Sequence, residues 1–397
     1  MKKILLLGGS NQQIVAIEKA KEMGLYTILC DYLPDNPGQY VADKFYLEST
    51  TDKDAILKIS RDENIDGIIA YASDPAAPTA AYVAEKLSLP GNPYKSVNSL
   101  CNKDKFRKFL KDNDFNVPTA YSFSSDIEAR NNISKFNFPI IIKPVDSSGS
   151  KGVTVLKSDK DIVKAIQLAF SFSKSHKIII EDYIENYYDR IIGGDIFVKN
   201  GEIIIWGLMS CHRDNNVNNL VPVGKSFPVE IDRNDLDKVK ETLRLLVNKL
   251  GILNGPLNVE LIVNNDKETY LIDVGPRCGG NMIPDLISDI FNVDIVKMSI
   301  EAAMGCKIEY DIEKSDEFYA IYYLHSDKSG IYNTISFDNK LEPFIYRKCL
   351  YKNKGDKVEY FDNASKCLGI IFLKFSNRDI MSNILSDINK LIDVNLD

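Results

Sequence analysis

The first hundred residues alternate short apolar runs with stretches of helical periodicity, and this alternation restricts the fold more than any other feature. Strands are predicted at Lys3–Leu7, Tyr26–Cys30 and Asp66–Ala70, with a helix over Gln12–Met23 after the first strand. Strands joined by crossover helices pack almost always as parallel neighbours, with the helices on the faces of the sheet. The sequence therefore predicts a doubly wound parallel sheet for residues 1–100.

The turn after the first strand has some features of a dinucleotide site. Gly8–Ser10 forms the turn, and Asp31 follows the second strand. The G-x-G-x-x-G spacing is missing, because Asn11, Gln12 and Gln13 follow the turn. A scaffold role for this turn is therefore favoured over NAD binding.

Two carboxylates interrupt a later pair of apolar runs. Glu260 lies in Leu257–Val263, Asp273 lies in Tyr270–Gly275, and the polar turn Asn264–Lys267 joins the two runs. This pattern is typical of a β-hairpin and would place both acids near each other on one face. Burying two carboxylates together is costly without a cation, and Mg²⁺ binds one or two carboxylates together with phosphate oxygens. If only this hairpin is considered, the alternative to a metal site is an ordinary hairpin at the edge of a sheet, with both acids in solvent.

A lysine, a loop of small residues and an arginine accompany the hairpin. Lys143 ends the predicted strand Phe138–Lys143, and the loop Asp146–Val153 follows. Backbone amides in such a loop can surround an anion, and Lys143 and Lys105 would add positive charge. Arg277, just beyond the hairpin, supplies a fixed fork of donors for phosphate or carboxylate. The loop lacks the G-x-x-x-x-G-K-[ST] pattern of a Walker phosphate site.

The rest of the chain is predicted to alternate hairpins and helices. Ile191–Val198 and Glu202–Met209 read as a hairpin, and Leu236–Leu250 reads as a helix that ends at Gly251. The tail is predicted to contain several short strands and a final helix, Ser376–Val394.

In this order, the motifs resemble the ATP-grasp ligases over nearly the whole chain. The chain looks most similar to the branch that includes carbamoyl-phosphate synthetase large-subunit domains, biotin carboxylase, the purine-pathway ATP-grasp enzymes and L-amino-acid ligases. The resemblance implies a mixed α/β and α+β architecture in three parts. These are a doubly wound pre-ATP-grasp domain at 1–100, a two-lobed ATP-grasp domain at 101–305 with a mobile lid at about 118–185, and a small α+β C-terminal domain at 306–397.

The resemblance also implies roles for individual residues. Glu260 and Asp273 would hold Mg²⁺, for which Mn²⁺ can substitute, and Arg277 would stabilise an acyl phosphate, with Lys143 on the phosphates. ATP would be bound through a helix lysine, the strand lysine, the glycine loop, the adenine hinge and an acid for the ribose: Lys105, Lys143, Ser148, Gly149, Ser150, Gly152, Glu181, Tyr183, Ile184 and Asp189.

The chain departs from the family pattern at two places. The second metal segment commonly has a glutamate and an asparagine where this chain has Asp273 and Gly275, and glycine offers no side-chain ligand. The G-x-E motif that usually follows the hinge is replaced by Glu185–Asp189.

A substrate pocket is predicted beside Arg277. Its residues are expected to be Arg213, His212, Gly279, Gly280 and Asn281. Arg213 would clamp a carboxylate, and His212 would act as a base or orient the substrate, with an ordinary surface histidine as the alternative. Lys225 is interpreted as surface charge. The segment Ser73–Pro75, at the carboxyl edge of the first sheet, is a further candidate contact.

Composition excludes several other classes of protein. The net charge is -7, with acids and bases interspersed, which disfavours a nucleic-acid or anionic-membrane binder. The seven cysteines show no CxxC spacing, so we expect reduced thiols in a cytoplasmic protein. The N-terminal apolar run is too short for a signal peptide, and no run is long enough to span a bilayer.

The predicted function is ATP-dependent ligation of a small-molecule carboxylate with an amine or ammonia, giving ADP and phosphate, by a homodimer. A purine-biosynthesis enzyme that acts on a ribosyl phosphate amine is the first alternative. A nucleotide-binding regulator or NAD-dependent reductase, without ligase activity, is the alternative from a different class.

Overall fold

The N-terminal domain is the predicted parallel sheet with helices on its faces. A computed structural model describes residues 1–397. The elements of this domain are β1 (Lys3–Leu7), α1 (Ile14–Glu22), β2 (Tyr26–Asp31), β3 (Lys44–Leu47), α2 (Lys53–Glu63), β4 (Gly67–Ile69), α3 (Ala77–Lys86) and α4 (Tyr94–Leu100). The strands are parallel in the order β3-β2-β1-β4.

Strand β1 shows why this sheet needs helices on both sides. Leu5 and Leu7 pack into the core beneath α2 and α3, whereas Ile4 and Leu6 pack into the largest core, which continues into the rest of the protein. Successive side chains of a strand point to opposite faces, so a run of four apolar residues buries both faces.

A second, smaller sheet lies in the segment where a lid is predicted, and this lobe is called the lid below. It follows α5 (Lys103–Asp112), and its elements are β5 (Ala120–Phe123), α6 (Asp126–Asn131), β6 (Ile140–Pro144), β7 (Thr154–Leu156), α7 (Ile162–Phe172) and β8 (Ile178–Asp182). The strand order is β5-β8-β6-β7, and all pairs are antiparallel. Ile140 and Ile142 of β6 pack against Ile166 of α7 in a core that belongs to this lobe alone.

An eight-stranded sheet carries the predicted carboxylate hairpin. The elements of the remaining chain are β9 (Ile192–Lys199), β10 (Glu202–Arg213), β11 (Pro222–Phe227), α8 (Arg233–Leu250), β12 (Gly255–Val263), β13 (Thr269–Gly275), α9 (Ile283–Phe291), α10 (Ile295–Ala303), β14 (Phe318–Leu324), β15 (Gly330–Phe337), β16 (Ile345–Leu350), β17 (Lys357–Val358), β18 (Gly369–Phe375), α11 (Arg378–Ser386) and β19 (Ile392–Leu396). The sheet order is β13-β12-β9-β10-β11-β14-β18-β16. Strands β14, β16 and β18 thus extend the sheet past residue 305, where a domain boundary is predicted from the sequence.

The two faces of this large sheet have different neighbours. Leu208 and Val259 pack with Val239 of α8 on one face. Met209 packs with Ile287 of α9 in the largest core, on the other face. The second face also carries Glu260 and Asp273, because strand pairing connects both residues to Met209.

The predicted final helix is wrong in its second half. Helix α11 ends at Ser386, and β19 pairs antiparallel with β15 through Ile392, Val394 and Leu396. These three apolar residues alternate with polar ones, which is the period of a strand. Among the helices of the structure, none is both long and apolar enough to cross a bilayer.

Candidate active site

The carboxylate hairpin is present, and its register brings the two acids together. Strands β12 and β13 pair antiparallel with Glu260 directly opposite Asp273. On the other side of β12, Glu260 is opposite Gly193 of β9, which is opposite Met209 of β10. Directly opposite residues share a sheet face, so both acids lie on the face that packs against α9.

Positive charges surround Asp273 and keep it ionised. Lys103 Nζ lies 3.5 Å from Asp273 Oδ2, and the Asp273 side chain is 42% exposed. Burial alone would raise the pKa of Asp273, but Lys103, Lys143 and Arg277 outweigh it and lower the pKa. No group of three or more metal-binding side chains occurs in the structure. Glu260 and Asp273, which face each other on one side of the sheet, are oxygen ligands of the kind that a hard cation takes together with water and phosphate oxygens.

A buried ion triad lies at the junction of the lid and the large sheet. Lys143 Nζ donates to Glu181 Oε2 at 2.7 Å, and Arg107 Nε donates to Glu181 Oε1 at 2.8 Å. Burial alone would raise the pKa of Glu181, but Arg107 and Lys143 lower it to about 2. Burial and the neighbouring cations lower the pKa of Lys143, against the attraction of Glu181. Arg107 also donates to the carbonyls of Leu271 and Ile272, so it ties β8 to β13.

The predicted nucleotide lysine on α5 is corrected by the structure. Lys105 is exposed, and its Nζ donates to Asn98 Oδ1 at 3.3 Å. Lys103 instead faces the cleft, where its Nζ donates to the Ser147 carbonyl at 2.9 Å and approaches Asp273. Residues two apart on a helix point about 200° away from each other, so only one of the two lysines can face the site.

The glycine loop connects β6 to β7 and reaches across the cleft. Gly149, Ser150 and Gly152 have φ of 67°, 59° and 72°, so three residues of this loop adopt the left-handed conformation. The predicted residue Ser148 directly follows Ser147, and the carbonyl of Ser147 accepts a hydrogen bond from Lys103. Ser150 Oγ donates to the Leu220 carbonyl at 3.0 Å, which joins the lid to the loop between β10 and β11.

The hinge after β8 differs in detail from the prediction. The Glu181 side chain is committed to the ion triad, and the Tyr183 N–H donates to the Pro139 carbonyl at 3.0 Å. The Ile184 N–H forms no backbone hydrogen bond, so it remains a candidate donor to an adenine ring. Asp189 is exposed on the following segment, and its ribose role stays a prediction.

Lys225 was predicted as surface charge, and this prediction is wrong. The residue is 3% exposed. Its Nζ donates to Cys211 Sγ at 3.1 Å, and a Cβ placed on Gly193 would lie 2.5 Å from the same Nζ. Burial alone would lower the pKa of Lys225, but Cys211 and the Glu260 carboxylate raise it. A thiol is a weak acceptor, so this buried ammonium retains donors for an anion beside Glu260.

His212 does not join the acids, because it lies on the opposite face of the sheet. Cys211 is paired with Lys225, and the next residue, His212, is paired with Gly224 and bonds Ser226 Oγ at 2.8 Å. Burial lowers the pKa of His212 to about 3, so the ring is neutral at ordinary pH. Arg213 is exposed at the end of β10, and its contact with a substrate stays a prediction.

Arg277 is fixed to the N-terminal domain. It forms an ion pair with Asp74 and donates to the Cys278 carbonyl at 3.0 Å. A Cβ on Gly275 would lie 2.4 Å from Asp74 Oδ1 and 3.1 Å from Arg277 Cζ. A side chain at this position would therefore have to displace the Asp74 carboxylate from its present place beside Arg277. Arg277 Nε and Asp74 Oδ1 are both buried without a hydrogen-bond partner.

The segment after Arg277 is held from two sides. The Gly279 N–H donates to Asp195 Oδ2 at 2.7 Å. Gln12 of the N-terminal domain exchanges two hydrogen bonds with Asn281, each of 3.1 Å. A Cβ on Gly280 would lie 2.8 Å from Gln12 Oε1. The predicted pocket residues Gly279, Gly280 and Asn281 are thus brought together with Arg277, at the meeting point of the two domains.

Residues that sequence reasoning missed carry recognisable signals. Arg107 lies one turn after Lys103 on α5, between the buried Phe106 and Leu110. Lys225 lies on β11 two residues from each of Val223 and Phe227, and therefore on the same inward face as these apolar residues. A charged residue at an inward position of an amphipathic element indicates a buried ion pair or a ligand contact, and this signal identifies both residues.

Comparison with known proteins identifies a family. The model of the carbamoyl-phosphate synthase L chain ATP-binding domain matches residues 102–311. The chain is 26% identical over 322 residues to the carbamoyl phosphate synthase large chain of Pseudothermotoga lettingae, with 77% of this chain and only 28% of that protein covered. It is 28% identical over 313 residues to the formate-dependent phosphoribosylglycinamide formyltransferase of Prochlorococcus marinus, with 77% and 78% covered.

Solved structures share the fold over the full length. The L-amino acid ligase from Bacillus licheniformis has a TM-score of 0.82 at 18% identity and covers 100% of this chain and 99% of its own. The phosphoribosylglycinamide synthetase from Anaerococcus prevotii has a TM-score of 0.77 at 22% identity, with both chains fully covered. Since the matched domain spans more than half of the sequence, the chain belongs to the carbamoyl-phosphate synthase L chain ATP-binding domain family, within the ATP-grasp superfamily of ADP-forming ligases.

Proposed function

We propose that this protein uses ATP to phosphorylate a small-molecule carboxylate and then couples the acyl phosphate to an amine or ammonia. The observation that carries the proposal is the register of Glu260 opposite Asp273, on a sheet face that also presents the buried Lys225. Lys103 lies 3.5 Å from Asp273, and Arg277 also acts on the charge of that carboxylate. Such a wall of acids beside cations suits a metal-bound polyphosphate.

ATP is proposed to lie between the lid and the large sheet. Lys143 and Lys103 would contact its phosphates, the loop Ser148–Gly152 would cover them, and the Ile184 N–H would bond the adenine. Glu260 and Asp273 would hold Mg²⁺, which supplies neutralisation of phosphate charge. Closure of the loop excludes water, which protects an acyl phosphate from hydrolysis.

The proposed chemistry has two balanced steps. A carboxylate oxygen forms a bond to the γ-phosphorus while the bond from that phosphorus to the β-bridging oxygen breaks, and ADP leaves. The amine nitrogen then bonds to the acyl carbon, the carbon–oxygen bond breaks, and phosphate leaves with that oxygen while the nitrogen loses a proton. Arg277 and Lys225 would stabilise the charge on the transferred group, and positioning supplies the rest.

An amino acid is the favoured substrate class. The turn of the N-terminal domain that faces the Arg277 segment presents neutral side chains, Ser10 and Gln12. A ribosyl phosphate would need cations there. The similarity to the Prochlorococcus marinus formyltransferase over most of its length keeps a purine-type reaction as the second candidate.

One alternative function and one proposal about the oligomeric state remain. A nucleotide-binding regulator would bind ATP but turn over no acid, so turnover separates it from a ligase. A homodimer is also proposed, because a structural relative from Hydrogenobacter thermophilus is described as a dimer. Light scattering of the purified protein would measure the mass directly.

The test is a trapping assay that needs no knowledge of the amine. Hydroxylamine converts acyl phosphates into hydroxamates, so the protein is incubated with Mg-ATP, hydroxylamine and a panel of amino acids, hydroxy acids and formate. We expect ADP and hydroxamate to form in equal amounts with a subset of the acids. Glu260→Gln and Asp273→Asn should each lower the rate at least about 100-fold, while Glu268→Gln, an exposed acid on the same hairpin, should not. Full activity in either metal-site variant would refute the proposal.

A further inference from the structure

Two buried side chains occupy the space above Gly193. Cys211 and Lys225 are 1% and 3% exposed, and they are directly opposite each other where β10 pairs with β11. A Cβ on Gly193 would lie 2.5 Å from Lys225 Nζ and 2.7 Å from Cys211 Sγ. Glu260 is directly opposite Gly193 on the neighbouring strand, and neighbouring strands are about 4.8 Å apart. The pair therefore lies beside one of the two proposed metal ligands.

Lys225 and Arg277 are both buried cations of the cleft, but the groups that they contact differ. Arg277 is paired with the carboxylate of Asp74. Lys225 forms no salt bridge, and its one hydrogen bond within the protein is the 3.1 Å bond to Cys211 Sγ. A thiol is a weak acceptor and is uncharged when it is protonated. This contact therefore orients the ammonium without cancelling its charge.

The thiol also restricts where the ammonium can lie. A lysine side chain is flexible, and it loses much rotamer freedom when it is fixed in one place. Cys211 bounds the Lys225 ammonium on one side, and the missing side chain of Gly193 leaves the room that the ammonium occupies. A residue without an acceptor at position 211 would leave the ammonium free to adopt other rotamers.

We propose that Cys211 is a positioning residue for Lys225: its thiol holds the ammonium beside Glu260 without neutralising it, so that the ammonium can bind an anionic oxygen of the acyl phosphate. Cys211 acts only through Lys225 and does not itself touch the reacting atoms. The inference rests on the proposed ligase function and deepens it, because it states how a cation is kept in place and charged beside the metal ligands.

The first test changes the charge at position 211 and keeps the size constant. The variants Cys211→Asn and Cys211→Asp have side chains of nearly equal volume, and both can accept from Lys225, but only the aspartate neutralises it. In the hydroxamate assay with the best acid, Cys211→Asp should lower kcat/KM at least about tenfold more than Cys211→Asn does, because a charge-assisted bond to the substrate is lost. The KM for ATP should be similar in the two variants. Cys306→Asp, at an exposed cysteine, is the control and should leave kcat/KM at the wild-type value.

A double-mutant cycle tests the same inference if Cys211→Asp folds poorly. Cys211→Ala should lower kcat/KM about 3- to 10-fold, as expected for the loss of one hydrogen bond, and Cys211→Ser should restore most of this loss because its hydroxyl also accepts. In the Lys225→Met background, Cys211→Ala should cause no further loss, since residues that act as one unit are not additive.

The outcomes separate this inference from the proposed function. Equal losses in Cys211→Asn and Cys211→Asp, or the same loss from Cys211→Ala with and without the Lys225 ammonium, overturn the positioning role and leave the ligase function standing. If no acid of any class gives a hydroxamate with the wild-type protein, the ligase function is contradicted, and the inference falls with it.

Discussion

The ion triad around Glu181 allows the most quantitative prediction. The side chains of Glu181, Lys143 and Arg107 are each no more than 5% exposed, so solvent screens their interaction little. Replacing Glu181 with glutamine keeps the shape of the side chain but leaves two buried cations without a counter-charge. Breaking a buried pair in this way costs about 3–5 kcal/mol.

The pKa of Glu181 gives a second route to the same magnitude. Its ordinary value is 4.5, and the folded protein lowers it to about 2. At about 1.4 kcal/mol for each tenfold change in proton affinity, the charged form contributes about 3 kcal/mol to stability. Because the folded pKa is the lower one, this contribution is complete above about pH 4.5 and is lost as the pH falls through about 2.

Urea unfolding at several pH values measures this contribution. At pH 7, Glu181→Gln should unfold with about 3–5 kcal/mol less free energy than the wild type. The difference should be about 2 kcal/mol smaller at pH 3, because the unfolded chain then binds a proton at this carboxyl that the folded protein does not. Glu185→Gln, an exposed acid just beyond the hinge, is the matched control and should change stability by less than about 0.5 kcal/mol. A loss below about 1 kcal/mol at pH 7, or a loss that does not depend on pH, would refute the reasoning.

Three further predictions concern the cleft. Lys103→Met should raise KM for ATP about 10- to 100-fold, because a charged hydrogen bond to phosphate is lost, whereas Lys105→Met should leave it within about threefold; equal effects would contradict the assignment. Lys225→Met should lower kcat/KM about 10- to 100-fold. Gly193→Ala should produce a similar loss in the same steady-state assay, because its Cβ would displace the Lys225 ammonium; wild-type rates in both variants would remove Lys225 from the site. His212→Gln should stay within about threefold of wild type from pH 6 to 9, since the neutral ring lies on the far face; a strong loss would mean that the histidine reaches the substrate.

The sequence predicted the framework of this protein because its signals are local. The alternation of β1, α1 and β2 and the turn between Glu260 and Asp273 depend on neighbours in sequence, so both were predicted correctly. Periodicity also identifies an acid on an apolar strand, whatever the rest of the chain does.

Assignments that depend on which face of an element a side chain occupies were less secure. On α5, the difference between Lys103 and Lys105 is two residues and half a turn. On the large sheet, Cys211 and His212 are adjacent in sequence and lie on opposite faces. An error of one residue in the predicted register therefore moves a side chain from the face that carries the acids to the other face.

Contacts between domains could not be predicted at all from one sequence. Asp74 and Arg277 are 203 residues apart, and the closeness of Asp74 to Gly275 appears only when the two domains meet. The prediction of a final helix up to Val394 failed for a similar reason. Residues 392–396 form β19 because β15, which is distant in sequence, pairs with them.

Oxygen transfer tests the central claim most directly. The acid found in the hydroxamate panel is prepared with ¹⁸O in its carboxylate and is converted to its hydroxamate with hydroxylamine and unlabelled ATP. An acyl phosphate requires that one labelled oxygen move from each carboxylate into inorganic phosphate, with ADP as the other product. Phosphate free of label, or AMP in place of ADP, would contradict the account.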